Sequence, residues 1–138
     1  MSSRLVIGID FDNTLVVYDE LFQKLAEQRG VLAPPVPRGK KEIRDAIRQL
    51  PEGEIHWQRL QAAAYGPRIG EARLAEGVME FLDRCRQESA RVYVVSHKTL
   101  RAGYDETDTD LRQAAMNWME ANGLFRDDGS GLRPERVY

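Results

Sequence analysis

Val6-Ile7-Gly8-Ile9-Asp10-Phe11-Asp12-Asn13-Thr14-Leu15 stands almost at the start of the chain. Its first half is a short apolar run rich in β-branched residues, which predicts a strand over residues 5–9 buried on both faces. In an extended chain, residues i and i+2 point to the same side. A strand end followed by a tight turn therefore aims Asp10 and Asp12 toward one small volume. Two carboxylates that close repel each other unless they share a proton or a cation sits between them. The arrangement suits metal-assisted phosphoryl transfer, in which one carboxylate attacks phosphorus and the other handles the leaving-group proton. An arbitrary D-x-D more often marks a turn, because Asp and Asn hydrogen-bond the nearby backbone. Here the pair follows an apolar N-terminal strand and extends to D-F-D-N-T-L, which favours the chemical reading.

Asp10-Phe11-Asp12-Asn13-Thr14 resembles motif I of the haloacid dehalogenase (HAD) superfamily in its phosphatase form. The resemblance implies a Rossmann-like α/β core with a parallel sheet, an aspartyl-phosphate intermediate and Mg²⁺. It makes Asp10 the nucleophile and Asp12 the general acid/base, with both at the metal. Phe11, Asn13 and Thr14 then belong to the loop that meets the phosphate. The dehalogenase branch lacks the second Asp, so carbon–halogen cleavage is disfavoured.

A second segment, Val94-Val95-Ser96-His97-Lys98-Thr99, resembles motif II of the same superfamily, an apolar strand ending in Ser or Thr. A hydroxyl and nearby backbone N–H groups there would hold the transferring phosphoryl oxygens. The preceding helix, Glu76-Gly77-Val78-Met79-Glu80-Phe81-Leu82, is similar to the family's pro-gly-val entry, with Ala75 where the family has proline. Lys98 is assigned the charge-supplying role of the motif III lysine, which the family more often draws from further downstream. His97 stands beside the phosphate-binding segment, with a packing or surface role as the alternative. His56, next to Trp57, reads as structural.

Between the motifs the pattern is helical. Residues 18–29 carry Leu21, Phe22 and Leu25 on one face and stop at Gly30. Ala33-Pro34-Pro35-Val36-Pro37 reads as a stiff extended connector. Residues 40–50 put Ile43, Ala46, Ile47 and Leu50 on one face, and Pro51 opens a further helix with Ile55, Leu60 and Ala64. Residues 76–88 form the next helix, 92–95 the second strand and 107–122 another helix, closed by Asn122-Gly123. Asp127-Asp128-Gly129-Ser130-Gly131 reads as a turn, and Arg136-Val137-Tyr138 as the opening of a third strand. This order predicts an α/β domain with a parallel sheet, whose ligands bind beyond the carboxyl ends of the strands. The expected division is a core of 1–15 and 74–138 and a helical cap of 16–73. In the family such caps close over the substrate, and Arg38, Lys40, Lys41, Arg59, Tyr65 and Arg68 are the candidates for gripping it.

The family's pattern is not met in full. Its motif IV places acidic residues, which complete the Mg²⁺ site, after a fourth strand. The expectation is that the C-terminal strands are missing, leaving Asp10 and Asp12 as the metal ligands. The motif I strand would then present an open apolar edge, which implies a fragment of a longer chain or a homodimer through that edge.

Composition bounds the rest. The 138 residues suffice for a genuine core, and 42% hydrophobic with 30% charged residues is ordinary for a soluble protein. A formal net charge of −2 offers no basic excess for nucleic acid. The single cysteine, Cys85, excludes an intramolecular disulfide and reads as a core residue. No apolar run reaches the ~20 residues of a membrane span, and no signal-peptide pattern is seen, so a cytoplasmic setting is expected. The functional expectation is a Mg²⁺-dependent phosphatase of a small phosphorylated metabolite. The alternatives are a non-catalytic HAD-like module binding phosphate, nucleotide or a partner, and a phosphotransferase.

Overall fold

The carboxyl end of the first strand lies against the second motif's strand in a parallel pair. In this computed structural model, which describes residues 5–96, 102–103, 107–125 and 132–138, β1 (Val6–Asp10) pairs with β4 (Arg91–Val95). The register runs from Val6 opposite Arg91 to Asp10 opposite Val95. Val137 makes a parallel bridge to Val94, with Tyr138 N–H donating to the Val94 carbonyl and Ser96 N–H to the Tyr138 carbonyl, each at 2.7 Å. The last residues thus lie along β4 on the side away from β1. The architecture is mixed α/β, with this small parallel sheet and five α-helices among the described residues.

The chain divides into two compact units, here given in their described parts. The first comprises residues 5–17, 73–96, 116–125 and 132–138; the second comprises residues 18–72, 102–103 and 107–115. In the first unit, β2 (Val16–Val17) and β3 (Arg73–Leu74) form an antiparallel ribbon that the sequence reading did not contain. Two-residue strands are too short to show alternation, which is why no period-2 signal marked them. Ala75 N–H extends the ribbon by donating to the Leu15 carbonyl at 2.9 Å. The helix α4 (Val78–Gln87) buries Val78, Leu82 and Cys85 at the expected spacing.

Burial of β1 differs from the expectation. Ile9 is buried, but Val6 and Gly8 are exposed, and the aligned Val95 on β4 is also open. The opposite face of β4 carries the buried Val92 and Val94. The strand is therefore covered on one face only, and an all-apolar run hides this because Val and Gly carry no polar marker for the open side.

The second unit is held by α1 (Asp19–Gln28), α2 (Lys40–Arg48) and α3 (Gly53–Tyr65). Gly30, at φ 62°, ends α1 as read from the sequence. Its N–H donates to the Glu27 carbonyl and Val31 N–H to that of Ala26, closing the helix with left-handed geometry. Phe22 stacks on Trp57 with centroids 4.9 Å apart, and Tyr18 meets Tyr65 edge-on at the same separation. Lys40 Nζ lies 5.2–5.6 Å from the ring centroids of Tyr18, Phe22 and Tyr65 and donates to Tyr65 Oη at 2.7 Å. Its four-carbon stem covers apolar rings while its charge meets their π faces.

The final helix, α5 (Leu111–Ala121), starts later than read, with Asp110 Oδ1 accepting from Gln113 N–H at 3.0 Å. Gly123, at φ 79°, closes it. Asp127–Gly131 lies outside the described residues.

α3 also begins later than Pro51 suggested, at a glycine forced by close approach. A Cβ on Gly53 would stand 2.2 Å from the Ile47 carbonyl oxygen and under 3.0 Å from Arg48 backbone atoms. Backbone cannot yield there as a side chain would, so Gly53→Ala is expected to destabilise the protein by about 1–3 kcal/mol. Gly70→Ala, with nothing within 4 Å, is expected to stay within about 0.5 kcal/mol. Urea denaturation of both variants measures the difference.

Candidate active site

The site is built by one loop between β1 and β2. Phe11 is fully buried and packs edge-on against Trp118, with ring centroids 5.6 Å apart and planes at 87°. Its carbonyl accepts from Leu15 N–H at 3.0 Å, Val16 N–H at 3.3 Å and Thr14 N–H at 3.4 Å. Asn13 takes the left-handed conformation at φ 63°, and its N–H donates to the Val16 carbonyl at 2.9 Å. Asn tolerates that conformation better than most residues. The loop is thus curled tightly around one buried ring.

The curl sorts the predicted site residues. Asp10 is exposed at the end of β1, with Oδ1 accepting from the Phe11 N–H at 2.9 Å. That bond orients the carboxylate of an exposed residue. Asp12 is half-buried and bridges to Val16, and Thr14 is exposed. Phe11 offers a ligand only its main chain, since its ring belongs to the core. Ser96 directly follows β4, next to the strand that ends in Asp10. His97 and Lys98 lie outside the described residues.

A cavity of about 440 Å³ opens beside the carboxyl end of β1. Asp10 and Thr14 line it with Gly8, Ile9 and Leu15, and Glu76, Gly77, Val78 and Phe81 close the other side. Asp12, Asn13 and Ser96 are not among its lining residues. Glu76 and Phe81 were absent from the predicted site. The acid before a helix reads as ordinary first-turn charge, and Phe81 as one more apolar helix residue, so neither carried a separate signal. Gly77, at φ 86°, gives the turn that brings Glu76 to the rim.

The donors here are carboxylate and hydroxyl oxygens, the chemistry of a hard cation such as Mg²⁺, which keeps several of its waters. Among the described residues no group of three or more His, Cys, Asp or Glu converges to hold a metal. The Asp10 carboxylate and the Asp12 main-chain carbonyl are the groups that would hold Mg²⁺, with water completing the shell.

Among the candidate gripping residues of the second unit, Lys40 and Tyr65 bond to each other, while Arg38 and Lys41 are exposed. Arg68 donates to Glu71, which also takes Lys24 Nζ at 2.5 Å. Arg68 is thereby committed to a carboxylate of its own unit.

No protein-family model, no curated protein and no solved structure matches this chain. Among the described residues, no helix is long and apolar enough to cross a membrane.

The Glu71 cluster makes a pH prediction. The Arg68 hydrogen bond first, and that of Lys24 second, hold the Glu71 carboxyl at about 2. A carboxyl depressed by folding contributes stability above its unfolded value and loses it as pH falls through the folded one. The contribution is therefore expected to fade between the ordinary glutamate range and about pH 2. Carbon-13 NMR at pH 3 should still find Glu71 ionised, and Arg68→Gln should move its titration upward.

Proposed function

We propose that this chain carries a HAD-type phosphatase site that hydrolyses a small phosphorylated metabolite through an aspartyl phosphate. The observation that supports this reading most directly is the register of the sheet. Asp10 closes β1 opposite Val95, so the nucleophile and Ser96 stand at the carboxyl ends of adjacent parallel strands. The binding place of an open α/β sheet is that end, and the two chemically loaded segments meet there.

The roles follow from the loop. The Asp10 carboxylate, oriented by the bond from Phe11 N–H to its Oδ1, attacks phosphorus in line, forming an O–P bond as the ester O–P bond breaks. Asp12 gives its proton to the departing alkoxide, then takes one from the water that cleaves the aspartyl phosphate and releases inorganic phosphate. The Ser96 hydroxyl donates to a phosphoryl oxygen, and Lys98 is assigned to balance its charge. Mg²⁺, when bound by Asp10 and Asp12, would neutralise the phosphate and lower the repulsion the nucleophile meets. The cavity walls Ile9, Leu15, Val78 and Phe81 suit an apolar portion of the leaving alcohol.

Asp10→Asn keeps the shape and removes the nucleophile. It is expected to lower Mg²⁺-dependent hydrolysis of p-nitrophenyl phosphate about a thousandfold or more, with chelation by EDTA giving a similar loss. Turnover by D10N near the unmodified rate would sink the assignment. Calorimetry showing phosphate uptake without Mg²⁺, together with no turnover in the unmodified protein, would favour a non-catalytic binding module instead.

A further inference from the structure

We propose that the substrate is a phosphomonoester whose alcohol portion carries an ammonium group on an apolar body, and that Glu76 selects it. On the phosphatase reading, on which this rests, the phosphoryl group lies at the Asp10 and Thr14 end of the cavity. At about 440 Å³ the cavity falls in the range of pockets that enclose a whole small molecule, so an organic body fits beside the phosphate. Ile9, Leu15, Val78 and Phe81 give that body its apolar wall. On the side closed by Glu76, Gly77, Val78 and Phe81, the charge is a carboxylate.

Glu76 is exposed at the rim, and its side chain makes no hydrogen bond or ion pair among the described residues. Farther along the same segment, Asp83 is paired with Arg86 and Glu88 with Arg84. The Glu76 carboxylate is left to meet what enters the cavity. Its placement depends on Gly77 at φ 86°, a conformation that a side chain would strain, although a Cβ there would meet nothing within 4 Å. The glycine therefore serves the turn and not a close approach. Phe81, 45% exposed, lines the same side. A carboxylate and an open aromatic ring attract the same partner: an ammonium pairs with the first and is drawn to the π face of the second.

The same charge works against other substrate classes. A second phosphate or a carboxylate on the alcohol would meet Glu76 with like charge. Among the described residues, no Lys, Arg or His lines the cavity to pair with it. In the second unit, Arg68 and Lys40 are already engaged by Glu71 and Tyr65. Because Glu76 is exposed, the selection is modest: an open ion pair and a cation near an aromatic ring each contribute about a few-fold in affinity.

Matched aryl esters read the selection: 4-(aminomethyl)phenyl, 4-methylphenyl and 4-(carboxymethyl)phenyl phosphate. With Mg²⁺ present, kcat/KM is expected to be about three- to tenfold higher for the amine than for the methyl compound, and lowest for the acid. Glu76→Gln should bring the amine-to-methyl ratio close to one, and Glu76→Lys should raise the acid above the amine. Phe81→Leu should lower the ratio while keeping the wall apolar. Binding without turnover is read by amide NMR titration with benzylamine, with phenylacetate as the matched anion. Benzylamine at millimolar concentration should shift Gly77, Val78 and Phe81, phenylacetate should not, and Glu76→Gln should abolish the difference. Equal turnover of the three esters would overturn the proposal and leave the phosphatase reading standing. Benzylamine shifts indifferent to Glu76→Gln would overturn it as well. Binding of benzylamine through Glu76 with no ester hydrolysed would instead support the cation selection and remove the phosphatase reading.

Discussion

The burial of the Phe11 ring is the constraint on which the first unit's site depends. One residue stands between two carboxylates, and its side chain is withdrawn entirely into the core against Trp118. Its carbonyl is then the hub on which the backbone N–H groups of Thr14, Leu15 and Val16 converge. A buried carbonyl must find donors, and a loop that supplies three has little freedom left. The same act that satisfies the core thus holds Asp10 at the strand end and Thr14 at the cavity. Because Phe11 N–H also binds Asp10 Oδ1, its main chain orients the neighbouring carboxylate from within.

Much of this was legible from the residues. The helices were visible because their apolar positions recur every three or four residues and because Gly30 and Gly123 could only be stops. Both longer strands showed as β-branched runs; of the third, read over 136–138, the structure has only an isolated bridge at Val137, with Arg136 in a short 3-10 turn. What escaped was information that periodicity does not carry. The ribbon of β2 and β3 has two residues a side, and the open face of β1 is built from Val and Gly, which are equally at home buried. Placing Glu76 at the cavity required the turn at Gly77, and a single glycine before a helix does not announce which neighbour it will swing inward. In the second unit the start of α3 was displaced by a backbone approach at Gly53 that no side-chain pattern encodes.

The second unit shows how three short helices form one body. Stacked and edge-on aromatic contacts join α1 to α3, and Lys40 brings α2 onto the same rings. Rigid rings carry much contact area for little lost rotamer freedom, which suits helices as short as these. The ionic contacts of this unit, such as Arg48 with Glu54 and Arg44 with Asp45, lie on the surface and add little by comparison.

The β2–β3 ribbon has a consequence for how this protein tolerates change. Val17 stands opposite Arg73, so the polypeptide leaves for the helical unit and returns from it at neighbouring backbone positions. Loop-closure entropy grows only slowly with length, so a ribbon whose ends already meet can carry an insertion of almost any size at small added cost. The pairing of β1 with β4 uses no residue between Val17 and Arg73. The ribbon works as a splice point at which one α/β scaffold can be fitted with different attachments.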